Sequence, residues 1–185
     1  MYTAQEKQFI LGLARRAIEQ YLAKGTMLKV GESEVLENLR DEQSCFVTLE
    51  LEKELRGCIG HVEPIQPLYL DIIENAVGAA FEDPRFLPLT REEYQRTEIE
   101  VSVLTVPREL IFSSSEDLLN KLRPGQDGVI IRRAERGATY LPQVWEKISD
   151  KERFLSELCL KADLLADDWR KRGLRVWTYQ AEIIK

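Results

Sequence analysis

Residues 45–61 read CFVTLELEKELRGCIGH, from Cys45 to His61. Apolar and polar side chains alternate with a period of two over Cys45–Leu51 and again over Leu55–His61, which is the spacing of half-buried β-strands. The joint between the two runs is Glu52-Lys53-Glu54, so the stretch predicts a hairpin. In the simplest register Val47, Leu49 and Leu51 share one face with Leu55 and Ile59 of the returning strand. The opposite face then carries Thr48, Arg56 and Cys58.

Working outward, Thr3 and Glu6 have capping-box spacing, and Phe9, Ile10, Leu13, Ala14, Ala17, Ile18, Tyr21 and Leu22 follow at helical intervals until Gly25. A short helix is expected around Val35–Arg40. On the other side of the hairpin, Pro67 suits a first helical position. Ile72, Ile73, Ala76, Val77 and Ala80 form the apolar stripe of a helix that ends near Asp83-Pro84. Thr90 and Glu93 make a second capping box. Ile99, Val101 and Val103 then alternate with Glu98, Glu100 and Ser102 as a strand running up to Pro107. Ser114 or Ser115 caps a helix through Leu122, and Gly128–Arg133 returns through Gly137 to Leu141 as a second hairpin. Helical spacing resumes at Phe154, Leu155, Leu158, Cys159 and Ala162, and Arg175–Ile184 alternates as a closing strand. Strands joined by hairpins, with helices in no strict βαβ order, predict an α+β fold with a largely antiparallel sheet and flanking helices.

The chain has 185 residues, which suits a single domain over 1–185 with room for two lobes whose boundary the sequence does not mark. A net charge of −6 argues against a nucleic-acid partner held by its phosphates. No apolar run approaches the roughly 20 residues that a membrane span needs, and the first residues lack the order of a signal peptide. The expectation is a cytoplasmic protein without membrane contact. Three widely spaced cysteines, Cys45, Cys58 and Cys159, fit a reducing compartment better than a disulfide framework. With one histidine, His61, and no CxxC, HExxH or CxxxCxxC pattern, neither a dedicated metal site nor a bound cofactor is expected.

The segment Leu55–Gly60 draws attention because Gly57 and Gly60 interrupt a clean strand. Glycine there marks a bulge or a close approach by another backbone or a ligand. Arg56 and Cys58 lie two apart on one face, about 7 Å along the strand. At that range a guanidinium would favour thiolate and could clamp an anion. Three roles are open to Cys58: packing residue, reactive thiol or non-covalent ligand contact. Asp83 and Arg85 close the following helix, where they could form a turn or stand beside a strand end. Glu100 and Ser102 share a strand face, and Glu100 could act as general base or hold Arg56. Asp127 and Gly128 read as turn chemistry more than a phosphate cradle. His61, three residues beyond Cys58, belongs to the opposite face.

Five motifs, LRGCIG (55–60), DPRFLPLT (83–90), IEVSVL (99–104), GQDGVII (125–131) and YLPQVW (140–145), together resemble the AmmeMemoRadiSam system protein A family, an AMMECR-type domain, over almost the whole chain. The resemblance implies an α+β fold with a larger and a smaller lobe and a cleft between them that holds the LRGCIG segment. It also implies association with a Memo-type protein and a radical S-adenosylmethionine protein, whose iron–sulfur ligands would belong to that partner. The family has no established reaction, and fold analogy supplies none. The matching positions are Arg56, Gly57, Cys58 and Gly60, then Asp83 and Arg85, Glu100 and Ser102, and Asp127 and Gly128. Trp145 stands where the family has a small residue. Two readings follow. One is an enzyme or enzyme component acting on a small-molecule substrate, with Cys58 as nucleophile, Arg56 as activator and anion clamp, and Glu100 or Asp83 as acid–base or orienting group. Gly57, Gly60, Arg85, Ser102, Asp127 and Gly128 would line its binding site. The other is a scaffold module that docks the two associated proteins.

Overall fold

The hairpin forms, with one displacement that rearranges its faces. β1 (Cys45–Leu51) and β2 (Glu54–Gly60) are antiparallel and joined at Glu52-Lys53. Both linking residues have positive φ, 54° and 67°, which matches the twist of a two-residue hairpin turn. Val47 pairs with Ile59 and Leu49 with Gly57, but Glu50 then pairs with Leu55. Arg56 is therefore the extra residue of a β-bulge. The bulge reverses the expected facing of Leu55, which is 43% exposed, and turns Arg56 inward to 9%. Simple alternation from Ile59 put Leu55 on the core face, because a period-two count carries no information about an inserted residue.

The computed structural model describes residues 1–185, which divide into two compact units. Met1–Val106 and Glu182–Lys185 form the first. It contains α1 (Ala4–Lys24), β1, β2, α2 (Leu68–Phe81), α3 (Arg91–Tyr94) and β3 (Thr97–Leu104). Pro107–Ala181 forms the second. Its elements are β4 (Arg108–Glu109), α4 (Ser115–Lys121), β5 (Gly128–Arg133), β6 (Arg136–Tyr140), α5 (Val144–Lys147), α6 (Lys151–Lys161) and β7 (Arg175–Tyr179). β8 (Ala181–Ile184) completes the sheet of the first unit. The expected single strand over Arg175–Ile184 is thus two strands in two sheets, since alternation continues through Gln180 whichever sheet receives the chain. The helix expected around Val35–Arg40 is replaced by 3₁₀ turns at Glu32–Glu34 and Glu37–Leu39. Such turns suit segments too short for α-helical cooperativity.

In the first unit the strand order is β2-β1-β3-β8. Val47, Leu49, Ile99 and Val101 face a core closed by α1 and α2. The α1 start is the Thr3–Glu6 capping box. Pro67 takes the cap position just ahead of α2. Eleven of the fourteen residues of α2 are buried, so it is a central helix covered on most sides rather than an amphipathic one. The same crowding explains Gly57: a Cβ there would sit 2.0 Å from the carbonyl oxygen of Ala79. At Gly60 it would meet the Cys45 carbonyl oxygen at 2.4 Å. Both glycines answer to close backbone approach, as the sequence implied.

The second unit has strand order β4-β7-β5-β6. Its core joins Leu118, Val129, Ile131, Leu155, Leu158 and Val176 around Trp145 stacked on Phe154. Of the two serines read as possible caps, Ser114 caps α4. Trp145 and Trp169 are both buried core residues. Along β6, Lys161 donates to the Thr139 carbonyl at 2.9 Å. The interaction occupies a backbone acceptor with a side chain.

Candidate functional site

Because Val47, Leu49, Ile99 and Val101 point into the core, alternation places Thr48 and Glu100 on the other face of the first sheet. Thr48 is the register partner of both Cys58 on β2 and Glu100 on β3, so the three form one row across three strands. The Thr48 hydroxyl donates to Cys58 Sγ at 3.3 Å. At the far end of the row, Lys185 Nζ lies 2.8 Å from Glu100 Oε2. Ser102, almost fully buried, donates from Oγ to Glu100 Oε1 at 3.3 Å. The shared face expected for Glu100 and Ser102 is therefore present. All three cysteines are free, and Cys58 alone among them is partly accessible.

Asp83 and Arg85 meet this row at the edge of the sheet. β2 is an outer strand, and the outward backbone N–H of Cys58 donates to Asp83 Oδ2 at 2.9 Å. The carbonyl of the same residue accepts from Arg85 Nη2 at 3.4 Å. Arg85 also grips Asp83 with two side-chain bonds, Nε to Oδ1 at 2.9 Å and Nη2 to Oδ2 at 2.6 Å. The ion pair thus supplies a donor and an acceptor where a neighbouring strand would, which protects the edge from adventitious pairing. The Arg85 side chain remains about half exposed. Its guanidinium, aided by the backbone donors of Cys58 and Arg85, outweighs burial and holds the Asp83 carboxyl at about 2.

Arg56 lies elsewhere. Its Nε and Nη2 donate to the two carboxylate oxygens of Glu93 at 3.1 and 3.0 Å, and Nη2 also reaches the Leu87 carbonyl at 2.8 Å. Glu93 in turn caps α3, accepting from the Thr90 backbone N–H at 2.9 Å. With the Arg56 bonds leading and the Thr90 contacts adding to them, its carboxyl is lowered to about 2. The charged groups that act on Cys58 are Arg85, Asp83 and Glu100. Arg56 is not among them, so the bulge separates the guanidinium and thiol that simple strand spacing put together. Burial pushes the Cys58 thiol up, and Asp83 and Glu100 add to the rise. Thr48 and Arg85 oppose it without overcoming it. The thiol is therefore protonated at neutral pH in the free protein.

The remaining nominated residues separate from this row. Asp127 and Gly128 lie in the second unit. The Asp127 carboxylate accepts from the backbone N–H of Arg123 at 2.9 Å and is gripped by its guanidinium, closing the turn ahead of β5. Gly128 faces the Tyr179 ring too closely to admit a Cβ. His61, on the helix side of the sheet, has Nδ1 2.6 Å from the buried Asp71 Oδ1. No group of three or more His, Cys, Asp or Glu side chains is placed to hold a metal ion. No helix is long and apolar enough to cross a membrane.

Sequence reasoning passed over Thr48, Lys185 and Asp71 as contributors. Asp71 could have been flagged, since a carboxylate among Ile72, Ile73 and Ala76 must have partners if the helix is buried. Alternation places Thr48 on the face of Cys58 but gives it no role, and Lys185 carries no local signal that would bring it to Glu100.

These features describe an α+β protein of two units with a polar row across one sheet face and an edge closed by an Asp–Arg pair. The AMMECR1 family model matches residues 11–184, and the chain belongs to that family. A protein of Thermofilum pendens is 40% identical over 192 residues, covering 98% of this chain and 90% of its own length. One from Methanocaldococcus jannaschii is 38% identical over 188 residues, covering 100% and 92%. The crystal structure of an uncharacterized protein from Pyrococcus horikoshii matches with a TM-score of 0.91 at 37% identity, over 98% of this chain and 91% of that one. That agreement extends the α+β architecture to a solved relative.

Proposed function

We propose that the polar face of the first sheet is the small-molecule site of an enzyme or enzyme component, with Cys58 as its reacting or contacting thiol. The observation that carries this reading is the row itself. A free, partly accessible thiol stands beside a hydroxyl, with a carboxylate on the next strand and a half-exposed guanidinium at the edge. Glu100 serves as acid–base partner, Ser102 and Lys185 fix its carboxylate, and Arg85 takes the anion-clamping role that strand spacing assigned to Arg56. Asp83 orients Arg85 and the Cys58 backbone. Because burial keeps the thiol protonated, its ionisation is coupled to ligand arrival. A substrate whose own basic atom takes the thiol proton produces the nucleophile only when it is bound. The Memo-type and radical S-adenosylmethionine proteins implied by the motif resemblance are the natural partners of such a component.

The test is complementation of cells lacking the native copy with Cys58→Ser and Glu100→Gln chains, alongside urea unfolding of each purified protein. Both variants are expected to lose at least about tenfold in pathway output while their unfolding midpoints stay close to the unmodified protein's. Full output from Cys58→Ser removes the nucleophile, and full output from both variants removes the site.

The second reading, a scaffold that docks the associated proteins, is favoured by one observation. Arg56 and Asp83, two of the four residues nominated for chemistry, spend most of their hydrogen-bonding capacity holding the fold together. Under that reading Cys58→Ser keeps full output, whereas charge reversals on the polar face abolish co-purification with the partners.

A further inference from the structure

Arg56 has one donor that its structural partners leave unused. Nε and Nη2 are committed to Glu93 and Leu87, but Nη1 is buried and has no hydrogen-bond partner, in a side chain only 10% exposed. Leaving a charged donor buried and unmade is costly, so such a group calls for an acceptor that reaches it in some state of the protein. The Phe86 ring lies over this guanidinium, 5.7 Å from Arg56 Cζ to the ring centroid. It lies over a second one as well, 5.5 Å from Arg85 Cζ. The two arginines are fixed independently, Arg56 by Glu93 and Arg85 by Asp83, so neither needs the ring to keep its place. Phe86 is partly buried and stands in the turn that follows α2, beside the strongly exposed Leu87.

We infer that Phe86 is a displaceable cover over a two-arginine site, and that the site takes the carboxylate or phosphate group of a small molecule on Arg56 Nη1 and the exposed side of Arg85. The inference deepens the proposed small-molecule site by giving its ligand an anionic group, and it rests on that reading only for the role of Arg85. Guanidinium forks are suited to either oxyanion. Because Glu93 and Asp83 already neutralise much of the local charge, the attraction comes from directed hydrogen bonds more than net field, and affinity for a bare anion is modest. The ring holds the closed state by cation–π attraction, and the incoming anion must displace it.

The test follows the Arg Nε–H NMR signals of the full chain during titration with sodium acetate and, separately, inorganic phosphate, at constant ionic strength kept by chloride. Saturable shifts of the Arg56 and Arg85 signals are expected, and the probe giving the lower Kd distinguishes carboxylate from phosphate. Phe86→Ala should tighten binding about fivefold, the equivalent of about 1 kcal/mol of released cation–π contact, and Phe86→Trp should weaken it. Neither substitution touches Cys58 or Glu100, so failure here leaves the complementation test of those residues standing. Arg56→Lys should abolish the saturable shift of the Arg85 signal, and the Phe86 pair keeps the test informative if that variant does not fold. Shifts that are linear in both anions, or an affinity indifferent to residue 86, overturn the inference and leave Nη1 to a buried water.

Discussion

Gly57→Ala is expected to destabilise the first unit by more than about 3 kcal/mol, read as a fall in the urea midpoint at unchanged slope. The added Cβ would stand 2.0 Å from the Ala79 carbonyl oxygen and 3.0 Å from its carbon. These are backbone atoms of α2, so no rotamer change relieves the clash. The helix must move off the sheet, and its buried residues Ile72, Ala76 and Val77 move with it. Gly60→Ala should behave similarly, with contacts of 2.4 Å to the Cys45 carbonyl oxygen and 2.6 Å to Phe46 Cα. Gly12→Ala supplies the contrast. Within α1 a Cβ at that position meets nothing within 4 Å, so the change should stabilise by about 0.5–1 kcal/mol through helix propensity. Equal stability of Gly57→Ala and the unmodified chain would show that α2 does not press on β2 as described.

Asp71→Ala is expected to cost about 3 kcal/mol. The carboxylate is fully buried and accepts from the Cys45 backbone N–H at 2.8 Å, with His61 Nδ1 at 2.6 Å and Gln66 Nε2 at 3.3 Å. Truncation leaves the Cys45 N–H without an acceptor inside the core and removes the contact that fixes the imidazole. Asp71→Asn should cost less, about 1–2 kcal/mol, because an amide oxygen still accepts one of these bonds. The single histidine makes the second readout simple: its ring signals in NMR should shift and broaden in Asp71→Ala while the fold persists. A loss below about 1 kcal/mol for Asp71→Ala would mean that the Cys45 N–H is satisfied in another way.

What could be read from the sequence follows from the range of the interactions involved. The Thr3–Glu6 and Thr90–Glu93 boxes and the Ser114 cap are made within four residues; both boxes formed as read, and the cap fell on the first of the two serines offered. The hairpin turn is equally local. By contrast, Gly57 signals that a bulge or a close approach can occur, but the alternation within either strand does not encode the Leu49/Glu50 register shift or its effect on Arg56. That single shift turned Arg56 from Cys58 toward Glu93, 37 positions away. Two of the motif residues, Asp127 and Gly128, proved to close a turn in the second unit. A place in a motif does not say whether a residue serves the fold or a ligand. Asp83 and Arg85 stand beside a strand because they complete its unpaired edge, a property of sheet order rather than of the turn that carries them.

Alkylation of Cys58 as a function of pH, followed peptide by peptide so that the buried Cys45 and Cys159 do not intrude, tests most directly the account of this thiol as protected and governed by Arg85. The account predicts slow reaction at neutral pH and an apparent pKa above the ordinary cysteine range. That value should rise further in Arg85→Ala, which removes the cation opposing burial, and stay nearly unchanged in Arg56→Met. An apparent pKa below about 8.5 that rises on removing Arg56 and ignores Arg85 would contradict the account, returning Arg56 to the side of the thiol and the bulge to an incidental feature.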